Sequence, residues 1–238
     1  MNRLPITTVR FPELRLRTRD AHKLRGFFGT LFREHSTLLH NHHIDEHGEE
    51  HVRYSYPLVQ YKILDGIPTL VGLQEGSTVL TNLFLDMRHI TIENITYTIN
   101  HKNIHRTDVE CGIADTLYEY SFATLWFALN QHHFERYQTL SKPERLEMLN
   151  AILRGNILSF FKGVNIWLMD RVMTSLRITG TVPMSFKNHR MIGFHANFTA
   201  NVLLPEWIGL GKSVGRGFGT ITVASKRMQR SALTDSKL

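Results

Sequence analysis

A chain of 238 residues, of which 42% are hydrophobic and 21% charged, can form one large domain or two compact halves with a substantial core. No long segment is polar enough to require disorder. The formal charge of +7 favours a polyanionic partner, because each phosphate that Lys or Arg neutralises releases condensed counterions. The single cysteine, Cys111, excludes an intramolecular disulfide, no apolar run is long enough to span a membrane, and together these features predict a cytoplasmic protein without a membrane partner.

The first half of the chain has the pattern of a β-α-β-β-α-β unit. Apolar side chains recur at spacings of three and four after Asp20, which is expected to cap a helix. Asp65 and Gly66 form a turn signal between two strand-like runs, which predicts a hairpin. Ser77 is expected to cap the second helix. The predicted strands and second helix are Ile6–Arg17, Tyr54–Leu64, Thr69–Gln74, Ser77–Met87 and Ile90–Ile99.

The second half repeats this order with a shortened final helix. Ser141 and Glu144 form a capping box, which predicts that a helix starts there and runs towards Phe161. We predict core packing for Trp126-Phe127 and His132-His133, which lie between strand and helix. The other predicted elements are strands at Tyr118–Trp126, Arg177–Phe186, Met191–Leu203 and Phe218–Ala224, and a helical turn at Pro205–Leu210.

The expected architecture is therefore α+β, with two tandem ferredoxin-like (RRM-like) domains. The N-terminal domain would span residues 1–110 and carry a histidine-rich loop. The C-terminal domain would span residues 111–238 and carry a glycine-rich loop.

That second loop contains five glycines within eleven residues, directly before the last predicted strand. Glycine lets backbone amides approach a phosphate closely, and the cations in the loop would add charge where an RNA backbone would lie. Neither the Walker pattern nor the dinucleotide-binding pattern fits, because this loop leads into a strand rather than a helix. The predicted RNA-binding residues, with the basic residues after the last strand, are Gly209, Gly211, Lys212, Ser213, Gly215, Arg216, Gly217, Lys226 and Arg227.

With this loop and the tandem order of elements, the sequence resembles the CRISPR-repeat RNA-processing endoribonucleases of the repeat-associated mysterious protein superfamily. The resemblance spans most of the chain. It implies that the partner is RNA, the CRISPR repeat transcript, and it suggests other CRISPR-associated proteins as further partners. The loop alone does not separate nucleases from RNA-binding relatives, so a non-catalytic subunit of a CRISPR surveillance complex stays open as an alternative.

A histidine-rich segment supplies groups that could perform the chemistry. Between His35 and His51, six of seventeen residues are histidine. Histidine titrates near neutral pH and can exchange protons without a metal. RNA carries its own nucleophile, the 2′-hydroxyl, so cleavage needs a base, an acid and cationic stabilisation, but no cofactor. The expected products are a 2′,3′-cyclic phosphate and a 5′-hydroxyl end.

The resemblance also indicates which histidine acts. Family members place the catalytic histidine just after the first helix, where this chain has His40 and His42, and we rank His42 first. The tyrosine and lysine that often accompany it in the family are missing at the matching positions. Arg53, Tyr54 and Lys62 are the candidate substitutes.

A metal-dependent nuclease is the third hypothesis. His43, His47 and His51 are spaced by four and would share one face of a helix, although Gly48 weakens that helix. We favour the metal-independent reaction and predict no cofactor and no bound metal.

Overall fold

We examined a computed structural model that describes residues 1–17, 20–31, 42–44, 50–52, 56–85, 87–92, 95–186 and 189–227. The described strands are β1 Asn2–Arg10, β2 His42–Ile44, β3 Glu50–Val52, β4 Val59–Leu64, β5 Ile67–Leu73, β6 His89–Ile92, β7 Ile95–Thr98, β8 Asn103–Phe122, β9 Thr174–Phe186, β10 His189–Leu203 and β11 Ile221–Arg227. The described α-helices are α1 Ala21–Leu31, α2 Glu75–Phe84, α3 Gln131–Thr139 and α4 Lys142–Gly163.

One seven-stranded antiparallel sheet runs through both halves of the molecule. Its order is β4-β5-β1-β8-β10-β9, and β11 pairs with β8. The strand β8 belongs to both halves, because residues 103–111 pair with β1 while its later residues pair with β10 and β11. Each half therefore repeats the ferredoxin-like strand order, which confirms the expected fold class.

The helices cover the sheet with two clusters of buried side chains. In the first half, Phe28 of α1 packs edge-on against Phe84 of α2, with ring centroids 5.0 Å apart. In the second half, α4 buries Leu149, Leu153 and Ile157 in the larger cluster. None of the helices that the structure describes combines the length and apolar character that a membrane span requires.

Several predicted elements in the first half have different bounds. The opening strand ends at Arg10, before Pro12, because proline cannot donate to a sheet ladder. Ser77 does not cap α2, which starts at Glu75; its buried hydroxyl is instead 2.7 Å from the Thr7 hydroxyl oxygen. The predicted strand Ile90–Ile99 is a hairpin of β6 and β7, and β8 supplies the fourth strand of this half.

In the second half, the capping box at Ser141 and Glu144 is confirmed at the start of α4. Trp126 and Phe127 are fully buried, as predicted. His132 and His133 are not core residues, because they lie on α3, an additional helix with no buried residue. No α-helix lies between β10 and β11, where residues 204–220 form a loop with a single 3-10 turn at Val214–Arg216.

The proposed boundary between residues 110 and 111 lies inside β8, so the backbone passes from one half to the other as continuous strand. The division of the chain at that point stays a prediction.

Candidate nucleic-acid interface

The glycine loop, residues 209–219, is held between the two halves of the protein. On one side, the Tyr56 hydroxyl donates to the Gly209 carbonyl at 2.7 Å, and the Gly209 N–H donates to the Gln60 side chain at 3.0 Å. On the other side, the Gly219 N–H donates to the Leu125 carbonyl at 2.9 Å. The loop therefore bridges β4 and its preceding residues, in the first half, to the segment that follows β8.

The glycines of this loop are needed for close packing against the protein itself. A methyl group at Gly217 would lie 2.9 Å from the Tyr61 carbonyl oxygen, and one at Gly219 would overlap the Leu210 carbonyl oxygen. Both glycines also have positive φ, at 85° and 63°. Of the predicted RNA-binding glycines, Gly209, Gly215 and Gly217 are buried and Gly211 is half-buried, so a role in phosphate binding stays a prediction for all four.

Lys62, which we expected to take part in catalysis, lies fully buried beneath this loop. Its ammonium donates to the Thr220 hydroxyl at 3.0 Å, and Thr220 donates in turn to the Gly217 carbonyl at 3.1 Å. Thr124 donates to the same carbonyl at 2.7 Å. Burial lowers the pKa of Lys62 to about 7. This geometry favours a role in positioning the glycine loop.

We expect Lys62→Met to remove a pH dependence of the free energy of unfolding. The folded chain lowers the pKa of Lys62 from 10.5 to about 7, so between these pH values the unfolded chain binds more protons. Wild-type stability should therefore rise with pH across this window, by at most about 1.4 kcal/mol per pH unit, and the penalty for burying the charge should be fully present below pH 7.

Urea unfolding at pH 7, 8 and 9 measures this slope. The exposed Lys142→Met is the matched control and should keep the wild-type slope. Parallel curves for wild type and Lys62→Met would contradict the prediction.

Basic side chains surround the exposed part of the glycine loop. Lys212 is exposed, whereas Arg216 and Arg25 of α1 are half-buried. A methyl group at Gly215 would lie 3.9 Å from the Arg25 Nη1 atom, so α1 passes directly beside the 3-10 turn. Burial and then the charge of Arg25 lower the pKa of Arg216. Like charges on neighbouring side chains favour the binding of an anion.

The histidine-rich segment is only partly described. His42 and His43 lie in β2, and His43 pairs with His51 of β3. His43 and His51 pair in a β-ladder, so the prediction of a helix that would align His43, His47 and His51 for a metal is wrong. His40, His47 and Tyr54 lie outside the described residues. Within the described part of the chain, no group of three or more His, Cys, Asp or Glu side chains could hold a metal ion.

The described residues on either side of the histidine-rich segment contact the glycine loop. At one end, Arg25 lies six residues before the end of α1, about 9 Å along the helix axis. At the other end, β3 finishes at Val52, and Tyr56 binds the Gly209 carbonyl four residues later. The described chain therefore contacts the glycine loop both before residue 32 and after residue 55.

Of the other predicted residues, Ser213 is half-buried and has a left-handed backbone conformation with φ of 57°. Lys226 and Arg227 do not follow the last strand but belong to it, since β11 pairs them with Tyr118 and Leu117. Their contribution to RNA binding stays a prediction.

Sequence reasoning missed the residues that hold the loop. Tyr56, Gln60, Thr124 and Thr220 make its main side-chain contacts, and the side chains of Gln60, Thr124 and Thr220 are buried. One signal was available, because Gln60 and Lys62 interrupt an apolar strand, and buried polar side chains require partners.

Comparison with known proteins gave family and fold matches over nearly the whole chain. Residues 2–110 match the model of the Cas6b N-terminal domain, and residues 112–224 match that of the Cas6b C-terminal domain. A crystal structure of Cas6b is similar, with a TM-score of 0.86 and 31% identity, covering 94% of this chain and all of that one. A second crystal structure, described as the CRISPR RNA processing endoribonuclease Cas6b, has a TM-score of 0.74 and 28% identity. The match covers 94% of this chain and all of that one.

Two further matches are more distant or shorter. A type IV CRISPR RNA endonuclease shares the fold at a TM-score of 0.54 and 11% identity, covering 94% of this chain and all of that one. An uncharacterized protein of Methanocaldococcus jannaschii is 27% identical over 139 residues, which are 58% of this chain and 95% of that protein.

Proposed function

This chain belongs to the Cas6b family, and on that premise we propose that it cleaves CRISPR repeat RNA without a metal, using the 2′-hydroxyl of the RNA as nucleophile. As a member of that family it is an endoribonuclease.

One observation carries this proposal: the described chain contacts the glycine loop on both sides of the histidine-rich segment. Arg25 of α1 and Tyr56 before β4 lie against the loop and flank the segment. An RNA strand held by the loop would thus lie beside a chain segment rich in proton-transfer groups. Arg25, Lys212 and Arg216 would supply positive charge for the phosphates there.

The proposed reaction breaks one P–O bond and forms another. A histidine accepts the proton of the 2′-hydroxyl, and the 2′-oxygen attacks the adjacent phosphorus. The bond from phosphorus to the 5′-oxygen breaks, and that oxygen receives a proton from a second group. The products are a 2′,3′-cyclic phosphate and a 5′-hydroxyl end. We assign the first of these roles to His42, with His40 as the second candidate.

We assign supporting roles to Tyr54 and Lys62. Tyr54 lies three residues after His51 in the sequence and is the candidate for a phenolic proton donor or phosphate contact. Lys62 is the positioning residue, because its ammonium contacts Thr220 beneath the glycine loop and is buried. Association with other CRISPR-associated proteins stays a prediction.

The test is a cleavage assay with two labelled repeat RNAs, in EDTA throughout. One RNA is all ribose, and the other carries a single 2′-deoxy nucleotide at the cut site. We expect cleavage of the first only, giving a product whose 3′ phosphate is cyclic. The deoxy RNA should bind with similar affinity, because only the attacking oxygen is removed.

Two other results would refute the proposal and identify its rivals. Binding of both RNAs without cleavage would indicate a non-catalytic RNA-binding subunit. Cleavage that appears only after addition of a divalent metal would indicate a metal-dependent nuclease that uses the histidine-rich segment.

A further inference from the structure

A second group of basic side chains lies beside the glycine loop, on the C-terminal half of the protein. We call it the α3 cluster, and it consists of His132, His133, Arg136 and Lys212. The backbone explains the grouping, because the Lys212 N–H donates to the Phe127 carbonyl at 2.9 Å. A methyl group at Gly211 would lie 2.7 Å from that same carbonyl oxygen. The loop thus holds Lys212 against Phe127, which lies three residues before Asn130, the cap of α3.

The α3 cluster is open to solvent. His132, Arg136 and Lys212 are exposed and His133 is half-buried, and the two imidazole rings are 6.1 Å apart. Burial lowers the pKa of His133, and the positive charges of its neighbours His132, Lys212 and Arg136 add to this effect. Every charge that shifts His133 is therefore of the same sign.

The carboxylates in the surroundings offset the charge of the cluster only in part. Among the residues that the structure describes, none forms a salt bridge with any of its four members. Glu135 is exposed on α3. Glu144 of α4 accepts hydrogen bonds from the Ser141 backbone and hydroxyl in the capping box; these bonds, and then the charge of Arg136, lower the pKa of Glu144, so this carboxylate offsets part of the charge of Arg136.

Two cations of α4 add positive charge beside α3. Arg145 of α4 donates to the Tyr137 and Gln138 carbonyls and stacks over the Tyr137 ring, and Lys142 is exposed at the start of α4. The contact with β10 is apolar, made by Phe194 against Tyr137. Cations therefore outnumber carboxylates at the cluster, and its net charge is positive.

We propose that the α3 cluster is a subsite for a backbone phosphate of the RNA that the glycine loop holds. A phosphodiester oxygen is a strong acceptor, the Arg136 guanidinium can bind it through two N–H groups, and Lys212 adds a point charge. The subsite rests on the proposed function, since it extends the path of the same RNA from the glycine loop onto α3. The subsite would contact no base, so it would contribute to the affinity and the orientation of the RNA but not to sequence recognition.

A phosphate at this position would change the protonation of His133. In the free protein, burial and like charges favour neutral His133, whereas an adjacent phosphate favours the imidazolium. Binding would therefore take up a proton near neutral pH. Since the complex binds more protons than the free components, RNA affinity rises as pH falls from 8 to 6.

The test compares wild type with the double variant His132→Ala/His133→Ala. Alanine preserves α3, because the cap uses only the backbone N–H of His133 with the Asn130 side chain. The probe is a fluorescent repeat RNA with one 2′-deoxy nucleotide at the cut site, so that it binds without being cut. Its Kd is measured at pH 6, 7 and 8 at fixed ionic strength, and as a function of salt at pH 6.

We expect wild-type Kd to rise about tenfold between pH 6 and pH 8, and the Kd of the double variant to change about twofold or less. At pH 6 the variant should bind about tenfold more weakly, and its slope of log Kd against log salt should fall by about 1. His89→Ala, which removes an exposed histidine from the β6–β7 hairpin, is the matched control and should retain the wild-type pH dependence.

Three results would overturn the subsite. Equal affinity and equal pH dependence for wild type and the double variant would show that no phosphate binds there. A single-turnover rate reduced more than tenfold with an unchanged Kd would place the histidines in the chemistry. Failure of the wild type to bind repeat RNA at all would overturn the proposed function together with the subsite. Binding by the wild type, with equal affinity and pH dependence in the double variant, would overturn the subsite alone.

Discussion

Replacement of His42 by alanine is expected to reduce the single-turnover rate of repeat RNA cleavage by about 100-fold or more, with the Kd for RNA changed less than threefold. General acid–base catalysis by a positioned side chain contributes about 10² to 10⁴ in rate, and alanine can neither accept nor donate the proton. The rate is measured with enzyme in excess over labelled RNA, so that product release does not contribute.

The neighbouring His43→Ala, at the next position of β2, is the matched control and should cleave at close to the wild-type rate. His40→Ala identifies the second group. A loss as large as that of His42→Ala would indicate an acid and a base acting as a pair, in which case the double variant should be little worse than either single one. Normal cleavage by His42→Ala would refute its assignment.

The second large effect is expected from Gly219→Ala, which should destabilise the fold by about 3 kcal/mol or more. The backbone of Gly219 has φ of 63°, a conformation that costs an alanine about 1–2 kcal/mol. The added methyl group would also overlap the Leu210 carbonyl oxygen, so the two sides of the glycine loop must separate at a further cost of about 1–3 kcal/mol. Urea unfolding measures the loss of stability.

Gly155→Ala is the matched control, because Gly155 lies in the middle of α4 with nothing within 4 Å of the added methyl group. It should stabilise the protein by about 0.5–1 kcal/mol, since alanine is the better helix former. RNA binding should weaken in Gly219→Ala under conditions where it is still folded, and should be unchanged in Gly155→Ala. Unchanged stability of Gly219→Ala would contradict the packing described for the loop.

Local signals in the sequence predicted the elements that depend on local contacts. The Asp65-Gly66 hairpin has positive φ at both residues, and the capping box of Ser141 and Glu144 forms as the spacing predicts. The helix α3 escaped prediction because only Phe134 and Tyr137 supply apolar packing on a polar sequence. Ser77 was misassigned because its long-range contact with Thr7 leaves no local signal.

The candidate site shows why a motif can be located but misread. Both a phosphate-binding loop and a tightly packed loop require residues without a Cβ atom, so the sequence could not reveal that Gly217 and Gly219 contact the protein's own backbone. Lys62 was misread for a similar reason, because a lysine in a sequence is normally expected to be a solvent-exposed cation. Its partner Thr220 is 158 residues away, a pairing that only the fold establishes.

The shared strand β8 limits how far the two halves can move relative to each other. Two modules joined by a flexible linker could open and close as rigid bodies on a hinge, whereas here the backbone ladder of one strand runs from β1 into β10 and β11. The ladder with β10 is irregular only around residues 113–118, which is the one part of β8 where the register with β10 shifts. Motion between the halves should be confined to twisting of the sheet there. The relative position of the two halves would then be nearly fixed before RNA binds, and little affinity would be lost to a closing motion.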